Sequence, residues 1–141
     1  MPSIRYLISN EKQLFIAKYI GMFSVTELME LTQMIWNDPD YDEHYDYILD
    51  ITGAHFKVTS QDILNLVKFF NLEMKAIKGK GAVVVVQPIF TAAISILSKK
   101  VTDYTGNICY ANIEGACLAM NTPVEYFQRL DHLEKCKMIE L

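Results

Sequence analysis

The stretch that decides the fold is Tyr47-Ile48-Leu49-Asp50-Ile51-Thr52. Its β-branched and aromatic residues read as a strand, with Asp50 near the carboxyl end. Gly53-Ala54-His55-Phe56-Lys57-Val58 reads as the loop that follows. Thr59-Ser60 then opens an amphipathic helix to about Ile77, with Ile63, Leu66, Val67, Phe70, Met74 and Ile77 on one face. Strand, loop and helix in this order make one crossover unit. In open α/β sheets the loop after the strand is where ligands and modifications act.

Working outward, residues 4–8 and 14–20 are strand-like runs joined by the polar turn 9–13. Gly21 ends the second strand. Ser24-x-x-Glu27 forms a capping box for a helix carrying Val25, Leu28, Leu31, Thr32 and Ile35, which stops by Asn37-Asp38-Pro39. Downstream, Gly79-Lys80-Gly81 breaks the second helix. Residues 82–86 are apolar without alternation, as a strand buried on both faces requires. Gln87-Pro88 ends that strand and residues 89–101 make a third helix. Residues 108–111 form a fifth strand, and 114–120 a short helix. Thr122-Pro123-x-Glu125 reads as a second capping box, for a last helix containing Val124, Phe127 and Leu130.

The order is therefore ββαβαβαβα with an added terminal helix. Right-handed crossovers place the three later strands parallel in a mixed five-stranded sheet, the opening hairpin supplying an antiparallel edge. A length of 141 residues predicts a single domain, with 131–141 a frayed tail.

Composition narrows the function. A net charge of −4, with Arg5 and Arg129 the only arginines, excludes a nucleic-acid surface built on clustered cations. Cys109, Cys117 and Cys136 are an odd set without zinc spacing, so they read as reduced thiols of a cytoplasmic protein. There is no leader pattern, and no apolar run approaches the ~18 residues of a membrane span, so no integral membrane segment is expected.

Each chemistry-bearing residue also has a plain structural role. The acidic run Asp38-Pro39-Asp40-Tyr41-Asp42-Glu43-His44 lacks the glycine and terminal glutamate of a calcium loop and reads as a solvated turn. Gly79-Lys80-Gly81 precedes a strand, the wrong order for a phosphate loop. Asp50 reads first as a carboxylate accepting loop N–H groups and second as a ligand-facing acid. Thr59 or Ser60 reads first as a helix N-cap and second as a phosphoacceptor. His55 could act as acid or base near neutrality, yet no nucleophile accompanies it in a recognisable motif. His44 and His132 lie in polar segments. Cys109 and Cys117 read as small core hydrophobes.

The strand end Asp50-Ile51-Thr52-Gly53 and the helix start Val58-Thr59-Ser60-Gln61 resemble the STAS family in its SpoIIAA-like branch. That family's strand ends Asp-Leu-Ser-Gly and its helix opens with Asp-Ser-Ser-Gly-Leu. Val58 here replaces the aspartate and Gln61 the glycine. Gly21, Asn37-Asp38-Pro39, Tyr45-Asp46-Tyr47-Ile48-Leu49-Asp50 and Lys80-Gly81-Ala82-Val83-Val84 are similar to motifs of stand-alone SpoIIAA-like proteins, so the likeness spans roughly residues 3–120. The resemblance implies an α/β SpoIIAA-like (STAS) fold. It also aligns Ser60 with the serine that anti-sigma-factor antagonists phosphorylate.

The expected function is a non-enzymatic STAS-like regulatory or protein-interaction module. Its working surface is Asp50, Thr52, His55, Thr59, Ser60 and Gln87, with Ser60 the candidate phosphoacceptor and neither cofactor nor metal implied. The third helix is apolar almost all round and the second carries Phe69-Phe70. That surplus predicts further burial at Phe69, Phe70, Phe90 and Ile94, in a homodimer first and around a small apolar or lipid-like ligand second. An enzyme using Asp50 and His55 ranks last.

Overall fold

The opening hairpin pairs β1 (Ser3–Ser9) with β2 (Leu14–Phe23) antiparallel, closed by a turn in which Gln13 adopts a left-handed φ of 53°. These coordinates come from a computed structural model, which describes residues 2–72, 78–100, 107–132 and 136–140. β2 is longer than the sequence suggests. Gly21 does not end it but sits within it at φ 102°, a conformation an L side chain resists, and the strand runs on to Phe23.

After β2 come α1 (Val25–Trp36), β3 (Asp46–Phe56), α2 (Ser60–Leu72), β4 (Gly81–Val84), α3 (Pro88–Lys100) and β5 (Asn107–Tyr110). Then follow α4 (Ile113–Ala119), α5 (Glu125–Asp131) and β6 (Lys137–Glu140). The described residues form a mixed six-stranded sheet in the order β5-β4-β3-β2-β1-β6. β2, β3, β4 and β5 are parallel, so the hairpin contributes one strand to the parallel set and only β1 opposes it.

The expected five-stranded sheet gains a sixth member from the supposed frayed tail. Ser3, Ile4, Arg5 and Tyr6 pair with Glu140, Ile139, Met138 and Lys137. The tail is held because Asp38, near the end of α1, reaches both strands. It accepts from the Tyr6 hydroxyl at 2.7 Å and from Lys137 Nζ at 2.6 Å. Its side chain is only 5% exposed, so this member of the acidic run is not solvated. Burial opposes its ionisation, but the hydrogen bonds from Lys137, the Asp40 backbone and Tyr6 prevail and hold its pKa below the usual carboxylate value.

Each crossover steps one strand along the sheet in the same sense, which puts α1, α2 and α3 on one face. There Phe15, Ala17, Tyr19, Phe23, Tyr47 and Ala54 pack with Leu31 and Ile35, and Val83 and Val85 pack with Leu49, Phe56 and Ile94. On the other face Ile16, Ile48, Ala82 and Val84 pack with Ala116 and Cys117 of α4 and with Phe127 and Leu130 of α5. β4 is buried throughout, but it ends at Val84, short of the expected 82–86, and Val86 beyond it is exposed.

Two helix starts differ from each other in an instructive way. The capping box of α1 forms as its sequence predicts: the Ser24 hydroxyl accepts from Glu27 N–H at 3.1 Å, and Glu27 Oε1 accepts from Ser24 N–H at 3.0 Å. The expected box at Thr122 does not. Thr122 N–H binds Cys117 O and Asn121 N–H binds Leu118 O, closing α4 with Asn121 at a left-handed φ of 50°. Thr122 therefore terminates one helix, and Val124 caps the next without a side-chain bond.

Candidate functional site

The residues of the expected working surface lie at the carboxyl ends of the parallel strands, in a local structure different from the one expected. Residues 53–56 are not a loop. They continue β3, and Ile20, Gly21, Met22 and Phe23 of β2 pair with Gly53, Ala54, His55 and Phe56. Between the Lys18–Asp50 pair and the Ile20–Gly53 pair the register shifts, with Ile51 and Thr52 opposite Tyr19 alone. This is a β-bulge in β3.

Asp50 explains why the bulge sits there. It is 1% exposed, and its Oδ1 accepts from Thr52 N–H at 3.0 Å and from Thr52 Oγ1 at 2.7 Å. A carboxylate in place of a strand partner satisfies the donor that the bulge sets free. The extra residue inverts the alternation beyond it, so that Ala54 and Phe56 face the same core as Tyr47, Leu49 and Ile51. Ala54 is buried against the core shared with Phe23 and Leu31, while Gly53 and His55 are exposed. Gly53 is also tight, since a Cβ there would stand 3.2 Å from Tyr19 O.

Only residues 57–59 connect β3 to α2. Thr59 is the cap: its carbonyl accepts from Ile63 N–H, its hydroxyl accepts from Asp62 N–H at 3.2 Å, and Asp62 Oδ2 accepts from Thr59 N–H at 2.9 Å. Ser60, first residue of the helix, is exposed, and among the described residues its hydroxyl makes no hydrogen bond. Gln87 lies across the end of the sheet, where its carbonyl accepts from Thr91 N–H and Pro88 takes the first helical position.

The structure thus brings Thr52, His55, Thr59 and Ser60 to one end of the molecule and sets Asp50 beneath them, inside the fold. Asp50 is buried in the bulge, and His55 is exposed on the strand beyond it. The Cys109 and Cys117 thiols are pushed up by burial, and Cys136 likewise, against the pull of Arg5, so none is poised as a thiolate. Among the described residues no group of three or more His, Cys, Asp or Glu could hold a metal ion.

Of the expected apolar interface, the side chains of Phe69 and Ile94 can be described; both are half-buried and make contacts within the chain. Phe69 stacks on Trp36 of α1 at 5.5 Å between centroids and 8° between planes. Ile94 packs against Val83 and Val85. The side chains of Phe70 and Phe90 lie outside the described residues. Two apolar residues at the site are exposed: Met22, at 58%, escaped the sequence reading, and Val86, at 61%, was expected in a strand buried on both faces. The signal for Met22 was available: Lys18-x-Ile20-x-Met22 keeps its alternation across Gly21. A separate cleft of about 240 Å³, lined by Lys12, Asp46, Asn121 and Tyr126 among others, lies at the opposite, amino end of β2 and β3.

No protein-family model and no curated protein matches the sequence. Among solved structures, the chain is similar to an uncharacterized protein of the DUF3478 family with a SpoIIAA-like fold from Shewanella loihica PV-4. The TM-score is 0.51 at 13% identity, over 84% of this chain and 94% of that one. The fold is SpoIIAA-like. An anti-sigma factor antagonist from Mycobacterium paratuberculosis aligns at a TM-score of 0.47 and 14% identity, over the same shares of the two chains. Among the described residues of this SpoIIAA-like chain, no helix is long and apolar enough to cross a membrane.

Proposed function

We propose that this SpoIIAA-like chain is a non-enzymatic regulatory module of the cytoplasm that engages a protein partner through residues 50–60, with Ser60 as its phosphoacceptor. One observation carries the reading: the cap of α2 is made by Thr59 and Asp62, which leaves the neighbouring Ser60 hydroxyl exposed and without a structural duty. A phosphate there would meet the positive end of the helix dipole, although the Asp62 carboxylate partly opposes it. The family resemblance of residues 58–61 points to the same serine.

The test is phosphosite mapping by mass spectrometry after the purified chain is incubated with host extract and ATP. Phosphate on Ser60, absent from a Ser60→Ala variant, is the expected result. Modification confined to other residues, or none, overturns the phosphoacceptor.

A further inference from the structure

The cleft at the amino end of β2 and β3 lies where the hairpin turn, the start of β3 and the α4–α5 connection meet. Leu14 and Asp46 form the first rung between the two strands, and Asp46 N–H donates to Gln13 O at 3.2 Å. The α4–α5 connection and the first turn of α5 bring Asn121 and Tyr126 to the same cavity. Its volume of about 240 Å³ is below the roughly 300–1,000 Å³ of pockets for drug-sized ligands, so it suits a smaller molecule.

The polar groups of this cleft are uncommitted. Lys12 and Asp46 both line it, yet they form no ion pair with each other, and among the described residues neither pairs with any other charge. Asp46 Oδ1 accepts from Lys80 N–H at 2.8 Å, which leaves Oδ2 without a donor among the described residues. The side-chain amides of Gln13 and Asn121 and the Tyr126 hydroxyl likewise make no hydrogen bond among those residues. Gln13 and Asn121 are also the two described non-glycine residues with left-handed φ, 53° and 50°. Glycine would hold either turn without steric cost, and the chain places a carboxamide at each instead.

We propose that this cleft binds a small zwitterion, an α-amino acid with an apolar side chain. Two opposite charges that line one small cavity without meeting are matched by a molecule that carries both. Lys12 attracts its carboxylate, and the free oxygen of Asp46 accepts from its ammonium. The carboxamides of Gln13 and Asn121 offer N–H donors to the first group and carbonyl acceptors to the second. Leu14 and the half-buried Tyr126 give the apolar side chain a surface to cover. A molecule with a single charge satisfies only one end. The site lies at the far end of the sheet from residues 50–60 and stands independently of the function proposed there.

The probe is L-leucine, compared with isocaproate, which lacks the ammonium, and isoamylamine, which lacks the carboxylate. Each is titrated into the full ¹⁵N-labelled chain while amide chemical shifts are followed residue by residue. Leucine should shift Gln13, Asp46 and Asn121 saturably, and each analogue should bind about fivefold more weakly, the scale of one partly exposed charge pair. Asp46→Asn, which keeps an acceptor for Lys80 N–H, should abolish the preference for leucine over isocaproate and spare the preference over isoamylamine. Lys12→Gln, at an exposed position, should do the reverse. No shift at millimolar leucine, shifts confined to other residues, equal binding of the three molecules, or preferences unchanged in both variants would each overturn the site.

Discussion

Asp50 binds Thr52 twice, through the Thr52 N–H at 3.0 Å and the hydroxyl at 2.7 Å, from a position nearly sealed from water. Because a one-residue slip inverts the facing of a strand, this pair decides which side chains of residues 53–56 meet solvent.

Asp50→Ala should therefore do more than lower stability. Leaving the Thr52 donors without an acceptor costs about 2 kcal/mol, read as a lower urea midpoint. Amide exchange at residues 53–56 should accelerate beyond that global loss, since the bulge is freed to slip. Asp50→Asn keeps an acceptor oxygen and should retain most of both. Equal exchange in all three proteins would mean that the bulge does not depend on the carboxylate.

Asp38 ties the final strand to the sheet, and its pH dependence has a definite sign. Its folded pKa lies below the ordinary 3.8, so its stabilisation is fully present above that value and disappears as the pH falls through the folded pKa. Lys137 is raised above 10.5 by its hydrogen bond to Asp38, so its part is complete below 10.5 and is lost as the pH rises through the raised value. The clamp is intact between these limits. Asp38→Asn should flatten the acid limb of a stability profile and loosen β6 first, seen as faster amide exchange at residues 137–140. An acid limb identical to that of the parent chain would refute it.

The order of elements was legible because helix and strand periods, the Ser24–Glu27 box and the unbroken apolar run of β4 each report on local structure. The bulge was not. Asp50 and Thr52 are adjacent on any alternating pattern, and only the register against Tyr19 reveals the extra residue. β6 was missed for a similar reason. Lys137 and Glu140 resemble a solvated tail, and their partners, Tyr6 and Ser3, lie at the far end of the chain. The candidate site was half legible: Thr59 and Ser60 were placed at the helix start, but which one caps depends on where the first turn begins. Phe69 was taken as surplus apolar surface because nothing local foretells a ring as distant as Trp36.

That ring pair gives a second stability prediction. Trp36 is buried and Phe69 half-buried, with their planes almost parallel. Phe69→Ala should cost about 3 kcal/mol, the low end for a truncated core phenylalanine, and Trp36 fluorescence should shift to the red as water reaches it. A change below about 0.5 kcal/mol with unchanged emission would return Phe69 to the surface role that composition first suggested.

The two hydroxyls at the start of α2 should separate folding from function. Thr59 accepts from Asp62 N–H and donates its own N–H to the Asp62 carboxylate, whereas Ser60 makes no such bond. Thr59→Ala removes half of that box and should cost about 1 kcal/mol, with faster amide exchange confined to the first turn of α2. Ser60→Ala removes an exposed hydroxyl and should stay within about 0.5 kcal/mol of the parent chain. Ser60→Ala should nevertheless abolish phosphate incorporation in host extract, and Thr59→Ala should retain it. The opposite pattern, incorporation lost with Thr59 and kept without Ser60, would make Thr59 the acceptor and leave Ser60 with no role.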